Sequence, residues 1–278
     1  MDMVTLSHVS YQYPLENSEV IRDLSLTLEA GRVYGLIGAN ESGKTTLCNI
    51  IRGFIPALYK GRLTGEVLVK GRPVGEYADG ELATIIGYSF QNPFTQISGV
   101  KDTVYEELAY GMENIGVPRE KMVERVDELV RIFHLEELVQ KNPFELSGGQ
   151  KQRVALASML ALDPELVILD EPTSQLDPQS TDDIFEIIQL LKRQGKTILL
   201  VEHKIDLVAA YCDDILLLHQ GRLVMQGSAQ QVLTDPKVLD YGGQLPQAAL
   251  YFLARRAQGQ PADRIPLTVQ QAYEILKK

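Results

Sequence analysis

The chain has 278 residues, 45% of them hydrophobic, and a formal net charge of −10. That content suffices for a large globular core. The acidic balance excludes a protein that wraps nucleic acid by charge alone, since such proteins need a basic face. The two cysteines, Cys48 and Cys212, are too few for a disulfide framework and read as small buried hydrophobes in a reducing compartment. No basic region followed by an apolar run is visible at the start, so no signal peptide is expected. The longest apolar runs, among them Leu166 to Leu169 and Thr197 to Val201, fall far short of the ~20 residues that cross a bilayer.

In chain order, apolar–polar alternation over residues 3–13 and 20–28 predicts an antiparallel hairpin joined by the polar PLENSE loop. RVYGLIG predicts a buried strand, KTTLCNIIRGF a helix directly after it, and TGEVLVKGRPV a second hairpin. From about Thr103 to Leu138, Glu, Leu, Val and Met recur at helical spacing, which predicts a helical block. ELVILD predicts a strand, residues 180–194 a helix, and KTILLVEH another strand. A short helix and the segment DDILLLHQGRLVMQG complete this part. Strands alternating with helices around continuous apolar runs give an α/β fold, a parallel sheet flanked by helices. An antiparallel β subdomain and an inserted helical subdomain accompany it. From Ser228 onward the pattern becomes an appended helical region, closing on an N-cap and helix in LTVQQAYEILKK.

Two motifs carry the chemistry. GANESGKT satisfies G-x-x-x-x-G-K-[ST] from Gly38 to Thr45, between a predicted strand and a predicted helix. Gly38 and Gly43 let the backbone turn its N–H groups toward phosphates, and the following helix adds a partial positive charge. Lys44 supplies a full charge, and the Thr45 hydroxyl is placed for Mg²⁺. Asn40, Ser42 and Thr46 complete the expected nucleotide contacts. In LVILDEPTS an apolar strand ends at Asp170, at the sheet end where α/β proteins bind ligands. Asp170 is expected to hold the metal, and Glu171 to orient or deprotonate the attacking water. The core is thus expected to be a P-loop NTPase with ATP and Mg²⁺ as its cofactors.

At LSGGQKQRVALA, Leu146 to Ala157, the chain resembles the ATPase subunits of ABC transporters, whose signature motif LSGGQ matches. The resemblance covers residues 3–227 and implies further roles. Tyr13, ahead of Tyr11, would stack on adenine; Gln91 would sense Mg²⁺ and the attacking water; Ser174 to Asp177 would be the D-loop; His203 would contact the γ-phosphate. It also implies a head-to-tail pair of subunits, in which Ser147, Gly148, Gly149 and Gln150 of one face the nucleotide of the other. Glu41 departs from the family, which mostly has Gly there. The loop grips with its backbone, so this side chain is expected to point outward, and its backbone to strain a turn that Gly would accept.

Gln96 after Gln91, Glu202 before His203 and the C-terminal LPQAALYFLARRAQ and LTVQQAYEIL segments look like the energy-coupling factor transporters. That resemblance implies a second ATPase subunit, identical or not, and an integral membrane coupling protein docked on the helical subdomain, residues 92–145. It further implies a separate membrane protein that captures a vitamin or a transition-metal ion. The ATPase domain would span 1–228 and sit peripherally on the cytoplasmic face of the membrane. The extension, 229–278, would strengthen subunit pairing. The alternatives are the ATPase of another ABC importer class and a non-transport ABC ATPase. Against the DNA-repair type stand the lack of long heptads and of a Cys cluster between Lys44 and Ser147.

Overall fold

A computed structural model describes residues 1–78, 80–174, 176–260 and 264–277. Met1–Glu76 and Leu199–Lys278 make one unit, and Tyr77–Ile198 the other. In the first, the alternating N-terminal segments form β1 (Asp2–Gln12) and β2 (Ile21–Glu29), paired antiparallel. Their alternate residues Leu24, Leu26 and Leu28 are buried, so one face of the hairpin meets the core. The apolar run Val33–Ile37 is β3, buried at every residue. After it come α1 (Lys44–Ile51) and the single turn α2 (Phe54–Ala57). β4 (Arg62–Val69) and β5 (Arg72–Pro73) are the second predicted hairpin, and they complete an antiparallel sheet in the order β2-β1-β4-β5.

The second unit begins with α3 (Glu81–Ile85) and β6 (Ile86–Ser89). The predicted helical block is α4 (Val104–Asn114) and α5 (Arg119–Ile132). Thr103 caps α4 by accepting from the Glu106 N–H. The signature segment opens α6 (Gly148–Leu160), and ELVILD supplies β7 (Leu166–Asp170), which pairs in parallel with β6. α7 (Pro178–Arg193) follows, capped by Asp177.

β8 (Thr197–Val201) carries the chain back to the first unit. There α8 (Ile205–Tyr211), β9 (Asp214–His219) and β10 (Arg222–Ser228) follow. β9 lies parallel to β3, with Gly35 opposite Ile215 and Ile37 opposite Leu217, and antiparallel to β10. A Cβ on Gly35 would stand 2.7 Å from Val208 and 3.1 Å from Cys212 Sγ, so glycine lets α8 pack directly on β3. Both cysteines are buried and neither forms a disulfide. The extension holds α9 (Ala229–Val232), α10 (Lys237–Asp240), α11 (Gln247–Ala257) and α12 (Val269–Leu276). Thr268 caps the last of these. The chain therefore has the α/β fold of a P-loop NTPase: parallel strands with helices, joined to an antiparallel sheet. Among the described residues no helix is long and apolar enough to cross a membrane.

Candidate active site

The phosphate loop links β3 to α1. Gly38 has φ 149°, and a Cβ there would lie 2.3 Å from the Leu218 carbonyl oxygen. Gly43, at φ 104°, stands at the N-cap of α1 with no side chain capping the helix. No acidic residue lies in the first turn of α1 to offset the partial positive charge of that helix end. Gly221 N donates to Ser42 O at 3.0 Å, which ties the loop to the β9–β10 turn. Lys44 is buried and donates to the carbonyls of Gly38 (3.0 Å) and Ala39 (2.9 Å). Ser42 Oγ is buried with no protein partner. A buried hydroxyl without a partner among the described residues, beside a helix N-terminus, is the chemistry that a phosphate oxygen satisfies.

Tyr13 places its hydroxyl 3.2 Å from Thr46 Oγ1 and remains partly exposed. Tyr11 is fully buried, and its hydroxyl donates to the Lys60 carbonyl at 2.8 Å. Of the two tyrosines, only Tyr13 therefore offers a ring face to a ligand. Asn40 and Thr45 are exposed on the loop and on the first turn of α1.

Glu41 is exposed and adopts φ 63°, the left-handed region that costs a side chain about 1–2 kcal/mol. It thus points away from the loop interior and strains the turn. Glu41→Gly is expected to raise folding stability by about 1 kcal/mol, seen as a higher denaturant midpoint at unchanged slope. An unchanged midpoint would show that the glutamate side chain offsets its own strain.

At the end of β8, buried Glu202 accepts from the backbone N–H groups of His203 (2.8 Å) and Lys204 (3.1 Å). Its carboxylate thereby shapes the turn that presents His203. This explains a residue that sequence reading singled out without giving it a task.

The second unit carries the carboxylates. Asp170 is buried at the C-terminal end of β7, where Tyr88 Oη donates to Oδ2 at 2.8 Å. Glu171 follows with φ 51° and accepts from Gln91 Nε2 at 2.6 Å. The two predicted catalytic residues of this unit are thus joined directly. Gln96 holds the segment around Gln91. Its Nε2 donates to the Ala155 carbonyl on α6 at 2.9 Å, and its Oε1 accepts from Phe90 N at 3.2 Å.

At α6, Ser147 and Gln150 form a reciprocal capping box. A Cβ on Gly149 would meet Ser180 Oγ at 2.8 Å, whereas one on Gly148 would meet nothing within 4 Å. The predicted D-loop, Ser174 to Asp177, is described except for Gln175, which lies outside the described residues. In it, Asp177 accepts from Ser180 N at 3.0 Å and from Ser180 Oγ at 2.7 Å, and these bonds hold its carboxyl below the usual range.

The profile of the ABC transporter family matches residues 21–174, more than half of the chain. The chain belongs to the ABC transporter family. It is an ABC ATPase subunit, an enzyme that binds and hydrolyses ATP. Relatives match along the whole length. A putative ABC transporter ATP-binding protein of Pyrococcus abyssi is 35% identical over 279 residues, covering 100% of this chain and 92% of that protein. An energy-coupling factor transporter ATP-binding protein of Geobacillus kaustophilus is 33% identical over 276 residues, covering 99% of this chain and 96% of its own length. Among solved structures, cbiO1 from Clostridium perfringens, part of the ABC transporter complex cbiONQ, superposes with a TM-score of 0.75 at 29% identity, covering 86% of this chain and 93% of that one. An ATP-binding cassette solved as a dimer after hydrolysis, with ADP and phosphate bound, gives 0.70 at 28% identity, covering 82% and 99%.

Proposed function

We propose that this ABC ATPase is one of two subunits that power an energy-coupling factor importer for a vitamin or a transition-metal ion. The observation that carries this reading is the span of the similarity. The energy-coupling factor relative matches 99% of the chain, so the likeness includes the C-terminal extension as well as the motifs. On this reading residues 1–228 are the ATPase domain and 229–278 a pairing element. Exposed Leu250 and Tyr251 on α11 and Val269, Tyr273 and Leu276 on α12 support the second assignment, because both helices leave large apolar side chains uncovered.

The residues take the following roles. Tyr13 stacks on the adenine ring. The N–H groups of the loop from Gly38 to Gly43, with Asn40, Ser42, Lys44, Thr45 and Thr46, bind the phosphates. Thr45, Gln91 and Asp170 offer hydroxyl, carboxamide and carboxylate oxygens, a donor set that suits a hard cation such as Mg²⁺. The ion, when bound, would neutralise charge developing on the phosphates. Glu171 accepts the proton of the attacking water, Gln91 orients that water and His203 contacts the terminal phosphate.

The signature residues Ser147, Gly148, Gly149 and Gln150 serve the nucleotide of the paired subunit. Gly148 supports this. It sits exposed in the first turn of a helix, where Ala would be better by up to about 1 kcal/mol. Among the described residues beyond its own helix turn, nothing lies within 4 Å of an added Cβ. A close approach by another molecule accounts for it. The exposed Phe94, Val100 and Phe144 of residues 92–145 form the docking face for the membrane coupling protein. A separate membrane protein selects the cargo, and this subunit lies at the cytoplasmic face of the membrane with no nucleic acid partner. Detergent extracts of native membranes are expected to yield the chain together with a second ATPase subunit and an integral membrane protein. Recovery of the chain alone, in the soluble fraction, would overturn the importer assignment.

A further inference from the structure

A cavity of about 290 Å³ opens beside the phosphate loop. Gly38 and Asn40 line it on one side, and Glu202 and His203 on another. The remaining wall is Gly242 to Gln244, a turn of the C-terminal extension that the nucleotide chemistry above does not use. The volume lies at the foot of the ~300–1,000 Å³ range of ligand pockets. It suits a phosphoryl group with its water rather than a whole nucleotide.

The turn is held on both sides. His219, the last residue of β9, donates from Nδ1 to the Tyr241 carbonyl at 2.9 Å. Gly243 N donates to Val238 O at 3.0 Å. On the far side, Gln247 N, at the start of α11, donates to Asp206 Oδ1 at 3.0 Å. Asp206 belongs to the first turn of α8, three residues after His203. Leu245 and Phe252 are buried behind the turn. A Cβ on Gly242 would stand 3.4 Å from the Cβ of Ala39, so the turn closes on the phosphate loop itself. These anchors join the extension to both segments that meet the terminal phosphate.

We propose that the Tyr241–Gln244 turn is a working part of the nucleotide site, and that Gln244 is a positioning residue for the terminal phosphate beside His203. The polar chemistry of the wall favours this occupant. Glu202 turns its acceptor oxygen to the backbone of residues 203 and 204, so its charge is engaged there. Gln244 and His203, both in the cavity wall, can each donate to an anion. The extension would therefore do more than pair subunits: it would distinguish a triphosphate from a diphosphate. This rests on the nucleotide-site reading above.

The test compares the affinity of the full-length protein for ADP and for the non-hydrolysable β,γ-imido analogue of ATP. Gln244→Ala is expected to weaken the analogue about fivefold, the worth of one hydrogen bond, and to leave ADP unchanged. Gln244→Glu brings a like charge to the phosphate and is expected to weaken the analogue further. Gln244→Asn is expected to restore part of the loss. Glu66→Gln, exposed on β4, should alter neither affinity. Unchanged affinities in Gln244→Ala and Gln244→Glu would overturn the proposal. Equal weakening of both ligands would also overturn it, as the mark of a merely structural turn. A change in subunit pairing alone would overturn it by assigning the cavity to the second subunit. If the unmodified protein bound neither nucleotide, the nucleotide-site reading itself would fall, and that result is distinct from the other three.

Discussion

Replacing Glu171 with glutamine is expected to lower ATP turnover by about a hundred- to ten-thousand-fold and to leave ATP binding in place. The range is that of a positioned general base. Glutamine has nearly the shape of glutamate but cannot take up a proton. The backbone at residue 171 should keep its φ of 51°, because it is set by the strand-to-loop turn after β7 and not by the carboxylate. The contact with Gln91 can also persist, since one carboxamide can donate to another. Binding should survive because the loop that grips the phosphates, Gly38 to Thr46, is unaltered. Steady-state phosphate release and equilibrium binding of a fluorescent ATP analogue measure the two effects separately. A loss of turnover below tenfold would place the base on another residue.

Gly38→Ala is expected to remove nucleotide binding and to cost the fold about 2–6 kcal/mol. Two penalties add at this position. A Cβ would lie 2.3 Å from the Leu218 carbonyl oxygen, a backbone atom of β9 that cannot swing aside. The φ of 149° is also one that side chains rarely adopt. Overpacking of this kind costs about 1–3 kcal/mol, and a forced backbone conformation about the same again. The loop must shift to escape, and Lys44 loses the Gly38 carbonyl that fixes it. Urea denaturation reads the stability and nucleotide titration reads the affinity. A midpoint within the error of the unmodified protein would show that β9 yields more readily than its register with β3 implies. Gly148→Ala makes a contrast on the same chemistry, since among the described residues beyond its own helix turn no atom opposes a Cβ there.

What could be read from the amino acids alone depends on how local the physics is. The phosphate loop was legible because consecutive backbone amides do the work, and glycine spacing reports their geometry. The hairpin β1–β2, the buried run β3 and the cap at Thr268 were legible for the same reason. β6 was not. It has four residues, Gly87 interrupts its apolar pattern, and its identity as a strand comes from its pairing with β7, far along the chain. Gly87 is needed there because Met159 and Pro164 close over it, a contact that no periodicity announces. Gln96 and Glu202 stood out in the sequence as unusual residues, but their tasks needed coordinates. Gln96 braces α6 through a residue 59 positions away, and Glu202 caps a turn with its own side chain. The approach of Gly242 to Ala39 was equally hidden, since the extension reads as helices and the approach is made by the bend between two of them.

The two bonds from Lys44 to the carbonyls of Gly38 and Ala39 bear on how the protein behaves among the ordinary ions of a cell. The ammonium does not stand open to whatever anion diffuses past. A newcomer must draw it from two oxygens already in place, and a singly charged ion such as chloride has little with which to compete. A polyphosphate brings several charges and several oxygens at once, which also meet the helix amides and the Ser42 hydroxyl. The lysine thus sets a threshold. On the nucleotide-site reading, the loop would stay quiet against the salt background and respond to a polyphosphate charged enough to unlatch it.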